Sequence, residues 1–163
     1  MTIVAAVDGE QIPDRVAEIG ADLATQYGEE LVVVHVMPRE TYEVRDNDGK
    51  SASFGYPSAP GTEYGNAGSE ASYSIDRAQR DAAGVARDIT EQTVDDLPES
   101  VSYVGRIGEV VTEVLSVAEE HDPTFLVVGG RKRTPVGKAV FGSSTQSFLL
   151  NADVPVVTVM TEE

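Results

Sequence analysis

The sequence predicts an α/β domain, a doubly wound parallel sheet of five strands with helices on both faces, and three observations carry that prediction. Short continuous apolar runs alternate along the chain with longer segments of helical spacing. The runs lack the polar alternation of a half-exposed strand, so each expects cover on both sides, as in a parallel sheet. The chain of 163 residues suits a single domain, spanning 1–163, whose core needs no metal or disulfide support.

Residues 2–7 (TIVAAV) read as the first buried strand, ended by Asp8-Gly9. Ile12, Val16, Ile19 and Leu23 then recur at spacings of four, three and four, with acids between them and Gly28 just beyond, which predicts an amphipathic helix over 11–27. Residues 31–37 (LVVVHVM) form a second strand and complete a right-handed βαβ unit. Pro38, Pro57, Pro60 and five glycines interrupt any periodicity over 38–70, so a long flexible loop is expected there. Ile75, Ala78, Ala82, Val85, Ile89, Thr93 and Leu97 predict a helix over 72–97 that stops before Pro98. A third strand over 101–104 runs into Gly105, and a helix over 109–120 follows. The last elements are a strand at 124–128, a short helix at 144–151 and a strand at 154–160.

Charge marks out one part of this plan. The chain has 28 acids against 12 Lys and Arg, a formal net charge of −16, yet residues 123–152 contain no Asp or Glu. Arg131, Lys132, Arg133 and Lys138 fall in that window, among Gly129, Gly130, Gly137 and Gly142 and ahead of Ser143, Ser144 and Thr145. Glycines, cations and hydroxyls after a hydrophobic strand suit an anion such as phosphate. Elsewhere the acids are dispersed rather than blocked, which fits a salt-adapted surface better than an acidic interaction tail.

Composition excludes several classes. With no cysteine there is no disulfide, thiolate nucleophile or cysteine-ligated metal. A pI near 4.3 argues against nucleic acid as a partner. No apolar run approaches the roughly 18 residues of a membrane span, and no basic leader precedes one, so a cytoplasmic protein without membrane attachment is expected.

In an open α/β sheet the ligand site lies beyond the carboxyl ends of the strands, at the point where strand order reverses. The turns after the first and fourth strands are therefore the candidates, and they hold Asp8-Gly9 and Gly129-Gly130. Two phosphate motifs fail there. Gly137-Lys138 is followed by Ala139 rather than Ser or Thr, and Asp8-Gly9-Glu10 is not a dinucleotide fingerprint. A flavodoxin-like electron-transfer module has only Tyr56 and Tyr64 in its favour.

Taken together, Val7-Asp8-Gly9, His35-Val36, the long segment after them, and VVGGRKRTPVGKAVFGSSTQSFL followed by VPVVTV resemble the universal stress protein family over nearly the whole chain. The resemblance implies a Rossmann-like sheet of the adenine nucleotide alpha hydrolase type. Nucleotide-binding members carry G-x-x-G-x(9)-G-S/T, and alignment on Gly142-Ser143 puts the first glycine on Gly129 and the second on Lys132, a departure from the pattern. Lysine there either obstructs, if the position needs a left-handed backbone, or adds a charge-assisted bond to phosphate.

By this resemblance Ala6, Val7, Asp8 and Val36 would line an adenine and ribose pocket, and Val128 and Gly129 would face the ribose. Gly130 and Lys132 would follow the phosphates, and Gly142, Ser143, Ser144 and Thr145 would bind them at the start of the last helix. The cofactor implied is ATP, or ADP or AMP, with Mg²⁺ if ATP is bound.

Local roles compete with these. Asp8 suits the cap of the first helix, Ser143 or Ser144 the cap of the last, Gly129-Gly130 a tight turn, and His35 a hydrogen-bonded core position. No nucleophile, general base or metal cluster can be read, so a catalytic role extends at most to slow ATP hydrolysis. The reading is a small stress-response protein that binds an adenine nucleotide as a homodimeric signalling module, pairing through its C-terminal strand. The alternative is a non-binding dimeric scaffold of the same family.

Overall fold

The computed structural model describes residues 1–9, 12–51, 74–132 and 142–162, without the side chains of 46–51, 131–132 and 162. Five strands, β1 (Thr2–Ala6), β2 (Glu30–Met37), β3 (Val101–Ile107), β4 (Phe125–Lys132) and β5 (Val156–Glu162), form one sheet in the order β3-β2-β1-β4-β5. Every pairing is parallel, with Ile3 opposite both Leu31 of β2 and Phe125 of β4. The chain winds outward from β1 to β3, then returns to lay β4 on the other side of β1, so strand order reverses between β1 and β4.

Helices α1 (Arg15–Tyr27) and α3 (Ile75–Thr93) cover one face, where Val16, Ala17, Ala21, Ala86 and Ile89 pack on Ile3, Ala5, Leu31, Val33 and Val127. On the opposite face, α4 (Val110–His121) and α5 (Ser143–Asn151) bring Val114, Val117, Ala118 and Phe148 onto Val4, Val32, Val34, Leu126 and Val128. Successive side chains of each central strand thus enter different cores, and this is why the strands carry no polar alternation.

Several boundaries differ from the expectation; α3 ends at Thr93 rather than 97, and β5 spans Val156–Glu162 rather than 154–160. Helix α1 begins at Arg15, not at residue 11, with Asp14 as its N-cap, so Ile12 lies outside it and is exposed. Asp8 is therefore not the cap of this helix. Residues 39–51, expected as loop, form α2 (Arg39–Ser51); the remainder of that expected loop, 52–73, lies outside the described residues. Strand β3 continues through Gly105, where α3 lies so close that a Cβ would stand 1.9 Å from the Gln79 carbonyl oxygen. Likewise β4 runs through Gly129 and Gly130 to Lys132, held by pairing of Gly129 with Val159 and Gly130 with Met160 on β5, rather than turning there.

Candidate functional site

A cleft of about 460 Å³ opens at the carboxyl ends of β1, β2 and β4, where strand order reverses. Its size falls within the range of roughly 300–1,000 Å³ usual for small-molecule sites. Eleven of the twelve residues proposed from sequence line it: Ala6, Val7, Asp8, Val36, Val128, Gly129, Gly130, Gly142, Ser143, Ser144 and Thr145. The twelfth, Lys132, continues β4 opposite Glu162, and its side chain is not described. Its backbone is that of a paired strand, and the one non-glycine residue of positive φ among the described residues is Asp122. A lysine at this position therefore carries no left-handed strain.

The β1 side of the cleft is fixed by β2. The Val7 N–H donates to the Val34 carbonyl at 2.9 Å, and His35 Nδ1 lies 3.0 Å from the Val7 carbonyl oxygen. Because a carbonyl can only accept, Nδ1 carries the hydrogen. Both backbone groups of Val7 are thus engaged, and the chain turns directly beyond at Gly9, whose φ of 84° lies in the region open to glycine. His35 is accordingly hydrogen-bonded, as its place in an apolar strand suggests, and it also forms part of the cleft wall.

Two of the helices whose N-termini border the cleft, α1 and α5, start differently. Asp14, buried at the head of α1, accepts from the Val16 N–H at 2.8 Å and the Ala17 N–H at 3.2 Å. Its own N–H donates to Thr93 Oγ1 at 2.9 Å. Burial pushes the Asp14 carboxyl above its ordinary value; the Ala17 and Val16 N–H groups pull it down, and the charge of Asp8 adds to the rise. Helix α5 starts at Gly142, which offers no capping side chain. Ser143 and Ser144, expected to cap it, are instead its first helical residues, and the Ser143 carbonyl takes the Ser147 hydroxyl at 2.9 Å. Among the described residues, therefore, no side chain caps the first N–H groups of α5 at the cleft.

Thr145 is 3% exposed, and its hydroxyl donates to the Gly129 carbonyl at 3.2 Å, tying α5 to the β4 tip. A Cβ at Gly130 would stand 2.9 Å from Thr145 Oγ1 and 2.8 Å from Met160 Sδ, so this glycine allows the close approach of α5 and β5.

The profile of the Universal stress protein family matches residues 1–160. The chain belongs to that family. Universal stress proteins of known structure share its fold. One from Archaeoglobus fulgidus is 24% identical with a TM-score of 0.56, covering 97% of each chain. Another, from Lactobacillus plantarum, is 12% identical at a TM-score of 0.56, covering 98% of this chain and 97% of its own. A universal stress protein in complex with cAMP is 16% identical at a TM-score of 0.54, covering 98% of this chain and 96% of its own. No curated protein matches the sequence.

Cleft residues that the sequence reading did not place in the site include Asp14, Arg15, His35, Val110, Phe148 and Thr161. Asp14 and Arg15 were hidden by the early helix start; with the helix beginning at Arg15, both fall at the rim. The apolar residues come from α4 and α5 and carry no polar signature, while Thr161 lies beyond the expected end of the last strand. Among the described residues no helix is long and apolar enough to cross a membrane.

Proposed function

We propose that this universal stress protein binds ATP, or the related ADP or AMP, in the cleft, and works as a homodimeric binding or signalling module in the cytoplasmic stress response. The observation that carries the reading is the uncapped N-terminus of α5 beside Gly129 and Gly130. Helix N-terminal N–H groups and the macrodipole favour an anion, and a phosphate would supply the acceptors that no described side chain supplies. The apolar lining of Ala6, Val36, Val110, Val114, Val128 and Phe148 suits a flat heterocycle, with Asp8 as a polar contact at its margin. The complex of a relative with cAMP is in line with an adenine nucleotide.

Mg²⁺ would enter with the phosphates of ATP, since the described residues include no group of three or more acids and histidines placed to hold a metal. Asp14 is engaged by α1, which leaves binding rather than turnover as the proposed role. For assembly, β5 is an apolar strand that, among the described residues, lies at the sheet edge beside β4, and a second copy aligned along it would cover that edge.

Native mass spectrometry of the freshly purified protein, followed by nucleotide analysis of the denatured extract, tests this reading. The expected result is a dimer that releases about one ATP, ADP or AMP per chain. An empty protein that also refuses added Mg-ATP at high salt would overturn it and leave the scaffold reading.

A further inference from the structure

The cleft straddles the tip of β4, with lining residues from α1 on one side and α5 on the other. Gly129 faces α1, where a Cβ would lie 3.2 Å from Val16 Cγ2, whereas Gly130 faces α5 and Met160. The open start of α5 lies on the Gly130 side. On the Gly129 side stand Arg15, the residue before Val16, and Thr161 of β5. Strand alternation places Thr161 on the same face as Val159, which packs with Val16 and Ala17 of α1. The Thr161 hydroxyl is only loosely engaged, 3.5 Å from the Gly130 carbonyl oxygen.

Arg15 is exposed and lines the cleft, and among the described residues it makes no ion pair. The other described side chains there that carry full charge are the carboxylates of Asp8 and Asp14. Among the described side chains, Arg15 is the cation that offsets these carboxylates, and it offers a planar guanidinium suited to bidentate capture of a phosphate.

We infer that the cleft holds a second anion subsite on the α1 side of β4, built on Arg15 and Thr161, so that the preferred ligand is an adenine nucleotide with at least two phosphates. One phosphate sits at the α5 N-terminus and the phosphate chain crosses Gly129-Gly130, which contribute no side chains of their own, towards Arg15. The inference rests on the nucleotide-binding reading and narrows it to di- and triphosphates.

Calorimetric titration of the full chain with ATP, ADP, AMP and adenosine, using wild type, Arg15→Gln and Arg15→Lys, tests it. Wild type is expected to bind ATP and ADP more tightly than AMP. Arg15→Gln should lose about tenfold for ATP and ADP, the scale of one charge-assisted contact, with AMP and adenosine unchanged, and Arg15→Lys should fall between. Equal affinity of wild type for AMP and ATP, an unchanged ATP affinity in Arg15→Gln, or the same loss for all four ligands would overturn the subsite while leaving nucleotide binding in place. Failure of wild type to bind any of the four would overturn both.

Discussion

Helices α1 and α5 approach the cleft from opposite faces of the sheet, and each presents an N-terminus to it. The first is closed by the protein's own carboxylate: Asp14 takes the Val16 and Ala17 N–H groups and is buried in doing so. The second is left open at Gly142. The backbone there does not demand glycine, since φ is −59°, and an added Cβ would meet no atom of the described residues within 4 Å. A serine or aspartate would fit and would cap the helix. One of the two starts is closed by a side chain that builds the fold, and the other has no capping side chain among the described residues.

Substituting Gly142→Asp makes the second helix like the first, and it carries the largest expected effect. The new carboxylate would accept the N–H groups proposed for phosphate and repel what remains of the ligand's charge. ATP affinity should fall by about 100-fold or more, the sum of a lost charge-assisted site and a like-charge contact. Stability should rise slightly, by roughly 0.5 kcal/mol, because aspartate is a better cap than glycine and suits the helix dipole. Titration calorimetry and urea unfolding of the same preparation check both signs. Unchanged ATP binding would place the phosphates elsewhere.

The reverse operation opens α1. Asp14→Ala should destabilise the fold by about 1–2 kcal/mol, the upper range for loss of a cap. Asp14→Asn keeps the cap but removes the titration. Burial holds the folded carboxyl above its unfolded value of 3.8, so the folded state retains a proton that the unfolded chain releases, and wild-type stability falls as pH rises through that window. The Asn variant is spared this loss. Its stability relative to wild type should therefore increase from about pH 4 upward and level off once Asp14 is ionised in the folded state. Urea unfolding between pH 3.5 and 7 measures the difference; a constant offset would mean that burial does not control this carboxyl.

These two helix starts also show what could be read from the chain. The five strands were legible because unbroken Val and Leu runs need two-sided burial, and the cleft was legible because reversal of strand order places β1 and β4 side by side. Glycine misled at three places. Gly105, Gly129 and Gly130 were taken for strand ends, yet they lie within strands because a helix or neighbouring strand presses on them. Helix α2 escaped notice for the opposite reason. Its described side chains are exposed apart from Tyr42, which packs with Met37, Ala78 and Ala82, so there is no apolar stripe to find. The early start expected for α1 had the largest consequence, since it put Arg15 in the second turn of the helix rather than at its first residue, beside the cleft.

A third helix gives the comparison its control. Glu109 caps α4 at the surface, accepting from the Val111 and Thr112 N–H groups and from the Thr112 hydroxyl. Its bonds from the Thr112 hydroxyl and then the Thr112 N–H hold the carboxyl below its ordinary value of 4.5; burial, which dominates at Asp14, is a smaller opposing influence here. The sign is therefore reversed. The ionised cap contributes above the unfolded value and is lost as pH falls through the lower, folded one. Glu109→Gln should cost stability at neutral pH and approach wild type in acid, whereas Asp14→Asn gains on wild type as pH rises. Exposure and salt screening limit the Glu109 effect to roughly 0.3 kcal/mol, smaller again at high ionic strength. Equal and parallel pH profiles for the two variants would mean that burial does not separate these caps, and the contrast between a closed structural seat and a surface one would fail.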